Sequence, residues 1–147
     1  MDLRTVNTNA LAFIGDGIYE VYIRKHVLQM GTADVNKLHK LAVKYVKAPA
    51  QSLVMKEILR DLSPEEEKLV KRARNHRQST KAKNVDMVTY KWATAFEALL
   101  GYLYYKEDME RMEEIIRRGI KITEETSQIP LLSIKKMRYW PLCRCAL

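Results

Sequence analysis

Two carboxylates lie inside otherwise apolar stretches of this sequence of 147 residues. Asp16 stands between two glycines in FIGDGIYE, and Glu97 lies within TAFEALLGYLYY. An isolated charge is costly in an apolar interior, so a buried carboxylate must be paired or must coordinate a metal. Both residues are therefore candidates for chemistry.

Asp16 and Glu97 can bind one divalent cation if their helices are neighbours. Hard oxygen ligands favour Mg²⁺, with Mn²⁺ as a substitute, and leave coordination positions for water and substrate phosphate. Glycine costs a helix interior about 1 kcal/mol relative to alanine, but its missing Cβ lets a helix, metal or substrate backbone approach Asp16. The pattern leaves an alternative open, in which both carboxylates pair with Arg or Lys or cap a neighbouring helix.

A basic segment runs from Lys68 to Lys83, with seven Lys and Arg residues and no acid, in a chain of net charge +8. Basicity confined to one segment favours a surface for a polyanion. A solvated helix face that continues into a loop is the alternative. Phosphodiester hydrolysis requires both a cation and a polyanion-binding surface, so the two features favour it jointly.

Apolar residues recur at steps of three and four, which predicts an all-α fold. The predicted helices begin near Asn7 or Thr8, near Asp34, at Pro49 and after Ser63, and then span about residues 88–105 and 108–118. Ser63 opens a capping box with proline at the first helical position. The fourth helix should end around Asn75, residues 76–86 should form a basic loop, and Gly119 should close the last helix.

The first helix should bury one apolar face, made up of Leu11, Ile14, Ile18, Val21 and Tyr22. His26 and His39 have basic neighbours, which favours solvated side chains over catalytic ones. The chain should divide into one domain at 1–125 and a basic tail at 126–147. The tail has two prolines and no helical period, so docking, disordered and non-native tails all stay open.

Several classes of protein are disfavoured by the composition. No run approaches the ~18 apolar residues of a membrane span, so we expect no membrane association. The N-terminus does not have the pattern of a secretory signal, and the two cysteines, Cys143 and Cys145, form no disulfide framework. A cytoplasmic protein is therefore expected. Nucleotide-binding loops and zinc-protease motifs are not found.

LAFIGDGIYEVYI at residues 11–23 and TAFEALLGYLYY at residues 94–105 resemble the two signature helices of the ribonuclease III catalytic domain. GTADVNKLHKLAVKYVKAPAQ and RARNHRQSTKAKN extend the resemblance to roughly residues 5–120. Within the family, the sequence is most similar to Mini-ribonuclease III, the form without a separate double-stranded-RNA-binding domain.

The resemblance implies a helical endonuclease domain that works as a symmetric homodimer and cuts double-stranded RNA with Mg²⁺. Cleavage would leave 5′-phosphate and 3′-hydroxyl ends, and precursor 23S ribosomal RNA is the implied substrate. Asp16 and Glu97 match the aspartate and glutamate of the two family motifs, as metal ligands and catalytic residues. The RNA-binding candidates are Arg74, Asn75, Lys81, Lys83 and Asn84.

The sequence departs from the full-length family at two positions. Ala12 and Thr94 stand where that pattern has a glutamate and an aspartate, and Mini-ribonucleases resemble this sequence in lacking both acids. The resemblance therefore implies a single Mg²⁺ held by Asp16 and Glu97 largely through water. A non-catalytic RNA-binding module of the same fold and an enzyme acting on a small phosphate ester are the alternatives. The seven cations disfavour the small substrate.

Overall fold

The computed structural model describes Leu3 and residues 5–76 and 86–127. These residues form a bundle of α-helices with no strand among them, which confirms the predicted all-α class. The helices are α1 (Thr8–Leu28), α2 (Val35–Val46), α3 (Ala48–Ile58), α4 (Pro64–Asn75), α5 (Met87–Tyr105) and α6 (Met109–Ser127). A short 3₁₀ turn, Leu59–Asp61, follows α3.

Short polar side chains fix the beginnings of the helices. The Asn7 side chain accepts a hydrogen bond from the Asn9 backbone at 2.8 Å at the start of α1. Ser63 and Glu66 form the predicted capping box at the start of α4. Such caps satisfy backbone N–H groups that have no partner within the helix. The predicted starts of α1 and α4 are therefore confirmed.

Helix α5 forms the centre of the bundle and packs against α1, α3, α4 and α6. Phe96, Leu99 and Leu100 are fully buried on it. The Tyr19 ring of α1 meets the Phe96 ring edge to face, with 5.0 Å between centroids. Aromatic pairs favour this geometry because of their quadrupoles. Both sequence motifs therefore lie on helices that share the core.

Helix α6 is longer than predicted. It continues to Ser127 instead of closing at Gly119, and so passes the predicted border at residue 125. A Cβ built on Gly119 would lie 3.2 Å from Val54 Cγ1. Glycine stands there because α3 packs closely against α6, so it marks a helix contact and not a helix end.

The buried face of α1 agrees with the predicted face in part, since Leu11 is buried and Ile18 and Tyr22 are half-buried against the core. Leu11, Gly15 and Tyr19 are buried, whereas Val21 is 65% exposed. The buried face is rotated away from Val21 because α1 contacts α5 at Gly15. The prediction for Val21 was therefore wrong.

The prediction of a solvated His26 was also wrong. Its Nε2 lies 2.8 Å from Glu124 Oε1 in the interior, and the Tyr45 hydroxyl donates to the same oxygen at 3.1 Å. We refer to these three residues, from α1, α2 and α6, as the polar cluster. Burial, followed by the Glu124 charge, raises the pKa of Tyr45.

No helix within the described ranges is long and apolar enough to cross a membrane. Most of the predicted basic loop and of the predicted tail, residues 77–85 and 128–147, lie outside the described part of the chain.

Candidate active site

The site is built where α1 and α5 come into backbone contact. A Cβ built on Gly15 would lie 1.8 Å from the backbone oxygen of Glu97, and one on Gly101 would lie 2.0 Å from the backbone oxygen of Leu11. Real Cβ atoms do not approach an oxygen so closely, so only glycine fits at either position. Gly15 and Gly101 therefore allow the two helices to touch through their backbones.

This contact sets the relative position of the two predicted site residues. Asp16 directly follows Gly15, and Glu97 supplies the carbonyl against which Gly15 packs. The two carboxylates are close enough for the charge of Asp16 to raise the pKa of Glu97. The structure therefore brings Asp16 and Glu97 together, and we refer to them as the acidic pair.

Gly17 has a different environment. A Cβ built on it would meet nothing within 4 Å. Its face of α1 also presents exposed apolar side chains, with Phe13 80% exposed. The two glycines around Asp16 therefore differ in role, since Gly15 makes the helix contact and Gly17 faces open space.

The environment of the acidic pair disfavours negative charge. Burial is the main cause that raises the pKa of Glu97 to about 8, followed by the Asp16 charge. Asp16 is exposed as a residue, but partial desolvation of its carboxylate, followed by the Glu20 charge, raises its pKa as well. A positive group at this position would stabilise both charges.

A third polar side chain, Gln51 of α3, lies beside the Glu97 carboxylate and acts to lower its pKa. Gln51 is 1% exposed. The Gln51 amide is within hydrogen-bonding reach of the carboxylate, which is why it lowers the pKa, but neither amide atom makes a hydrogen bond of good geometry to a described residue. Gln51 was not among the site residues predicted from the sequence. The available signal was its spacing in α3, where it shares the buried face with Val54, Met55 and Ile58.

The donor set can be compared with the needs of a divalent cation. In the described part of the chain, no three His, Cys, Asp or Glu residues group closely enough to form a metal cluster. The acidic pair offers hard carboxylate oxygens, which suit Mg²⁺ bound through one or two carboxylates with water as the remaining ligands. Ala12 and Thr94 are buried. The residues present therefore fit a hydrated ion better than a cation enclosed by protein ligands.

Of the predicted RNA-binding residues, Arg74 and Asn75 are in the described part of the chain. Arg74 is half-buried, with its guanidinium 4.8 Å from the centre of the Trp92 ring, and Asn75 is exposed. Lys81, Lys83 and Asn84 lie outside the described residues. Stacking on Trp92 fixes the Arg74 side chain where α4 ends, on the side of the basic segment that faces α5.

Part of the basic segment is engaged within the protein. Lys71 pairs with Glu67 at 2.6 Å, and Arg72 donates to the backbone oxygen of Leu3 at 3.3 Å. These two cations therefore have contacts within the chain, and the predicted polyanion surface does not include every cation of the segment.

The family model of the ribonuclease III domain matches residues 9–108, a range that contains the α1–α5 contact and both members of the acidic pair. The chain therefore belongs to the ribonuclease III domain family, and it is an endoribonuclease.

Curated relatives named Mini-ribonuclease 3 agree with this assignment. The Clostridium tetani protein is 44% identical, with 86% of this chain and 85% of the relative covered. The Enterococcus faecalis protein is 44% identical, with 86% and 98% covered. The crystal structure of a Fusobacterium nucleatum protein superposes on this chain with a TM-score of 0.76, and the two sequences are 38% identical. The match covers 82% of this chain and 98% of that one. The predicted resemblance is confirmed.

Proposed function

We propose that the chain is a Mg²⁺-dependent endoribonuclease that cuts double-stranded RNA at the acidic pair. The observation that carries this proposal is the contact of Gly15 with the Glu97 backbone, which holds the Asp16 and Glu97 carboxylates together despite their mutual repulsion. Such repulsion is costly to maintain, and a divalent cation relieves it.

Asp16 and Glu97 have the same proposed task, which is to hold Mg²⁺ through its water ligands. Mn²⁺ suits the same oxygen donors. A bound divalent ion supplies a lowered pKa for attacking water and charge neutralisation at the scissile phosphate. Because Asp16 is exposed and Glu97 is half-buried, Asp16 lies on the side where an RNA backbone can approach. The products would have 5′-phosphate and 3′-hydroxyl ends.

The basic segment is the proposed RNA-binding surface. Double-stranded RNA is recognised by its shape, through contacts to phosphates and 2′-hydroxyls. Arg74 is held at the start of this surface by Trp92, which precedes Glu97 on α5 by five residues or about 7.5 Å of helix axis. Asn75, Lys81, Lys83 and Asn84 are the other residues proposed to bind RNA.

The functional unit is proposed to be a homodimer. Phe13, Val21 and Leu28 form an exposed apolar stripe along α1, on the side of Gly17. Exposed apolar patches are typical of protein contacts. A second copy docked on this stripe would lie next to Asp16, so the two sites of a dimer would be close to the same interface. Sedimentation of a monomer at micromolar concentration would contradict this part of the proposal.

The proposed substrate is precursor 23S ribosomal RNA, and the proposed location is the cytoplasm. The resemblance of the two motif helices implies this substrate, and the chain matches 98% of the length of the Enterococcus faecalis Mini-ribonuclease 3. Cleavage of precursor RNA at discrete ends, compared with an unrelated duplex of equal length, would test it.

The direct test of the function is cleavage of double-stranded RNA by wild type and by Asp16→Asn and Glu97→Gln variants. Wild type should cut in Mg²⁺ and fail in a chelator. Each variant should lose at least about 100-fold in rate while binding RNA in Ca²⁺ as wild type does. A wild type that binds but never cuts would favour a non-catalytic module. Variants that cut normally would contradict the assigned site.

The RNA-binding surface is tested by neutralising Lys81 and Lys83. Each lost phosphate contact should reduce the slope of log affinity against log salt by about 1. The matched control removes the same charge from exposed positions of other helices, Lys37→Gln with Lys121→Gln. Equal effects of the two double variants would contradict a localised surface.

A further inference from the structure

Gln51 is a polar side chain in a position that packing alone would fill with an apolar one. It shares the buried face of α3 with Val54, Met55 and Ile58. An amide buried without hydrogen bonds costs about 1–3 kcal/mol, and neither Gln51 amide atom has a partner in the described part of the chain. The hydrogen-bonding capacity of this amide is therefore not used up by well-formed bonds to the described residues.

The location of Gln51 indicates what it serves. Its amide lies beside the carboxylate of Glu97, where α3 packs against α5. Tyr19 has a buried hydroxyl without a partner too, but that hydroxyl lies near Gly119 of α6. Gln51 thus places unused hydrogen-bonding capacity next to the proposed metal ligand.

We propose that Gln51 is a positioning residue of the metal site. With a cation bound, its amide N–H would donate to the Glu97 carboxylate, and its amide oxygen would be free to accept from a metal-bound water. A glutamine offers a donor and an acceptor on one rigid group, so it can connect a ligand to a coordinated water. Partners that orient metal ligands contribute about 10–100-fold to metal affinity. This inference rests on the proposed function.

The test uses Gln51→Met, which keeps the length and flexibility of the side chain and removes both hydrogen-bonding atoms. The control is Met55→Leu, a volume-conserving change one turn further along the same buried face. Mn²⁺ affinity is measured by titration calorimetry on full-length protein without RNA, and unfolding in urea is measured without metal. RNA binding is measured in Ca²⁺, and cleavage is measured as a function of Mg²⁺.

Gln51→Met should weaken Mn²⁺ binding about 10-fold or more and raise the Mg²⁺ concentration for half-maximal cleavage similarly. It should leave RNA affinity within about twofold and the metal-free protein at least as stable as wild type, because an unsatisfied amide is removed. Met55→Leu should change neither the Mn²⁺ affinity nor the Mg²⁺ concentration for half-maximal cleavage. Gln51→Asn, which retains an amide, should fall between wild type and Gln51→Met.

Unchanged Mn²⁺ affinity in Gln51→Met would overturn the inference and leave the proposed function intact. A Gln51→Met protein that unfolds, or is clearly less stable without metal, would also overturn it, since the amide would then support the fold. If wild type itself binds Mn²⁺ no better than Asp16→Asn does, the metal site and this inference fail together.

Discussion

The acidic pair and the polar cluster each contain a glutamate that is at least partly withdrawn from water. The two glutamates differ in the hydrogen-bond donors and charges that surround them. In the polar cluster, Glu124 accepts from the Tyr45 hydroxyl and lies 2.8 Å from the His26 ring nitrogen. In the acidic pair, Glu97 has Asp16 as a like-charged neighbour and beside it the Gln51 amide, which makes no well-formed hydrogen bond to a described residue. The first glutamate has its partners within the fold, whereas the second has no opposite charge beside it among residues 5–76 and 86–127.

This difference separates a structural carboxylate from a functional one. A buried carboxylate with hydrogen-bond donors stabilises the native arrangement. One held against a like charge destabilises it, and persists where the surrounding structure imposes the position. In this chain the imposing structure is the backbone contact between α1 and α5. Four predictions test the comparison, from the largest effect to the smallest.

The largest effect is expected from Gly15→Ala. The added methyl group would lie 1.8 Å from a backbone oxygen, so α1 and α5 must separate, at a cost of about 3 kcal/mol or more. Urea unfolding measures this loss. The control is Gly17→Ala, which meets nothing within 4 Å and should gain up to about 1 kcal/mol from helix propensity. Equal effects at the two glycines would contradict the helix contact.

A matched pair of substitutions compares the two glutamates directly. Glu124→Gln should lower the free energy of unfolding by about 2 kcal/mol, because it removes the charged acceptor of the polar cluster. Glu97→Gln should raise it by at least about 1 kcal/mol at pH above the pKa of Glu97 in metal-free protein. Chemical unfolding in a chelator measures both. Destabilisation by Glu97→Gln would show that Glu97 is paired within the fold.

The gain from Glu97→Gln should depend on pH. Folding raises the pKa of Glu97 from 4.5 to about 8, so the folded state binds the proton more tightly than the unfolded state does. Stability is then lost as pH rises through this window. The gain in unfolding free energy from Glu97→Gln should be absent below pH 4.5 and largest above about pH 8. A constant advantage across the window would contradict the raised pKa.

The smallest effect is expected from Gly119→Ala in α6. Its Cβ would lie 3.2 Å from Val54 Cγ1 and 3.5 Å from the Tyr19 hydroxyl, both of which are side-chain atoms that can shift. The gain in helix propensity offsets this crowding, so the change in unfolding free energy should stay within about 1 kcal/mol. A loss as large as that from Gly15→Ala would remove the distinction between backbone and side-chain contacts.

Much of the fold was predictable from local rules. Helix caps such as Asn7 and Ser63 act within a few residues, so the sequence reveals them directly. Gly119, Val21 and His26 were wrongly interpreted because their environments come from distant helices. A glycine inside a helix and a histidine facing a buried glutamate cannot be recognised until α3, α5 and α6 are placed.

The site was predictable only where a local sequence signal marked the residue. Asp16 and Glu97 stand out as charges in apolar segments and match family motifs. Gln51 could be recognised only once α3 was packed against α5, because an uncharged amide in a sequence does not indicate whether it is buried or has a partner. Its interest comes from burial without a partner, which is a property of the folded chain.

The central claim is that the acidic pair has no counter-charge among the described residues and that a divalent cation supplies one. Carbon-detected NMR of the Glu97 carboxyl, titrated with and without Mg²⁺, tests it most directly, with Glu97→Gln to assign the signal. We predict a pKa of about 8 without metal and a clear fall when Mg²⁺ is added. A pKa near its ordinary value of 4.5 in metal-free protein, or no response to Mg²⁺, would contradict the account.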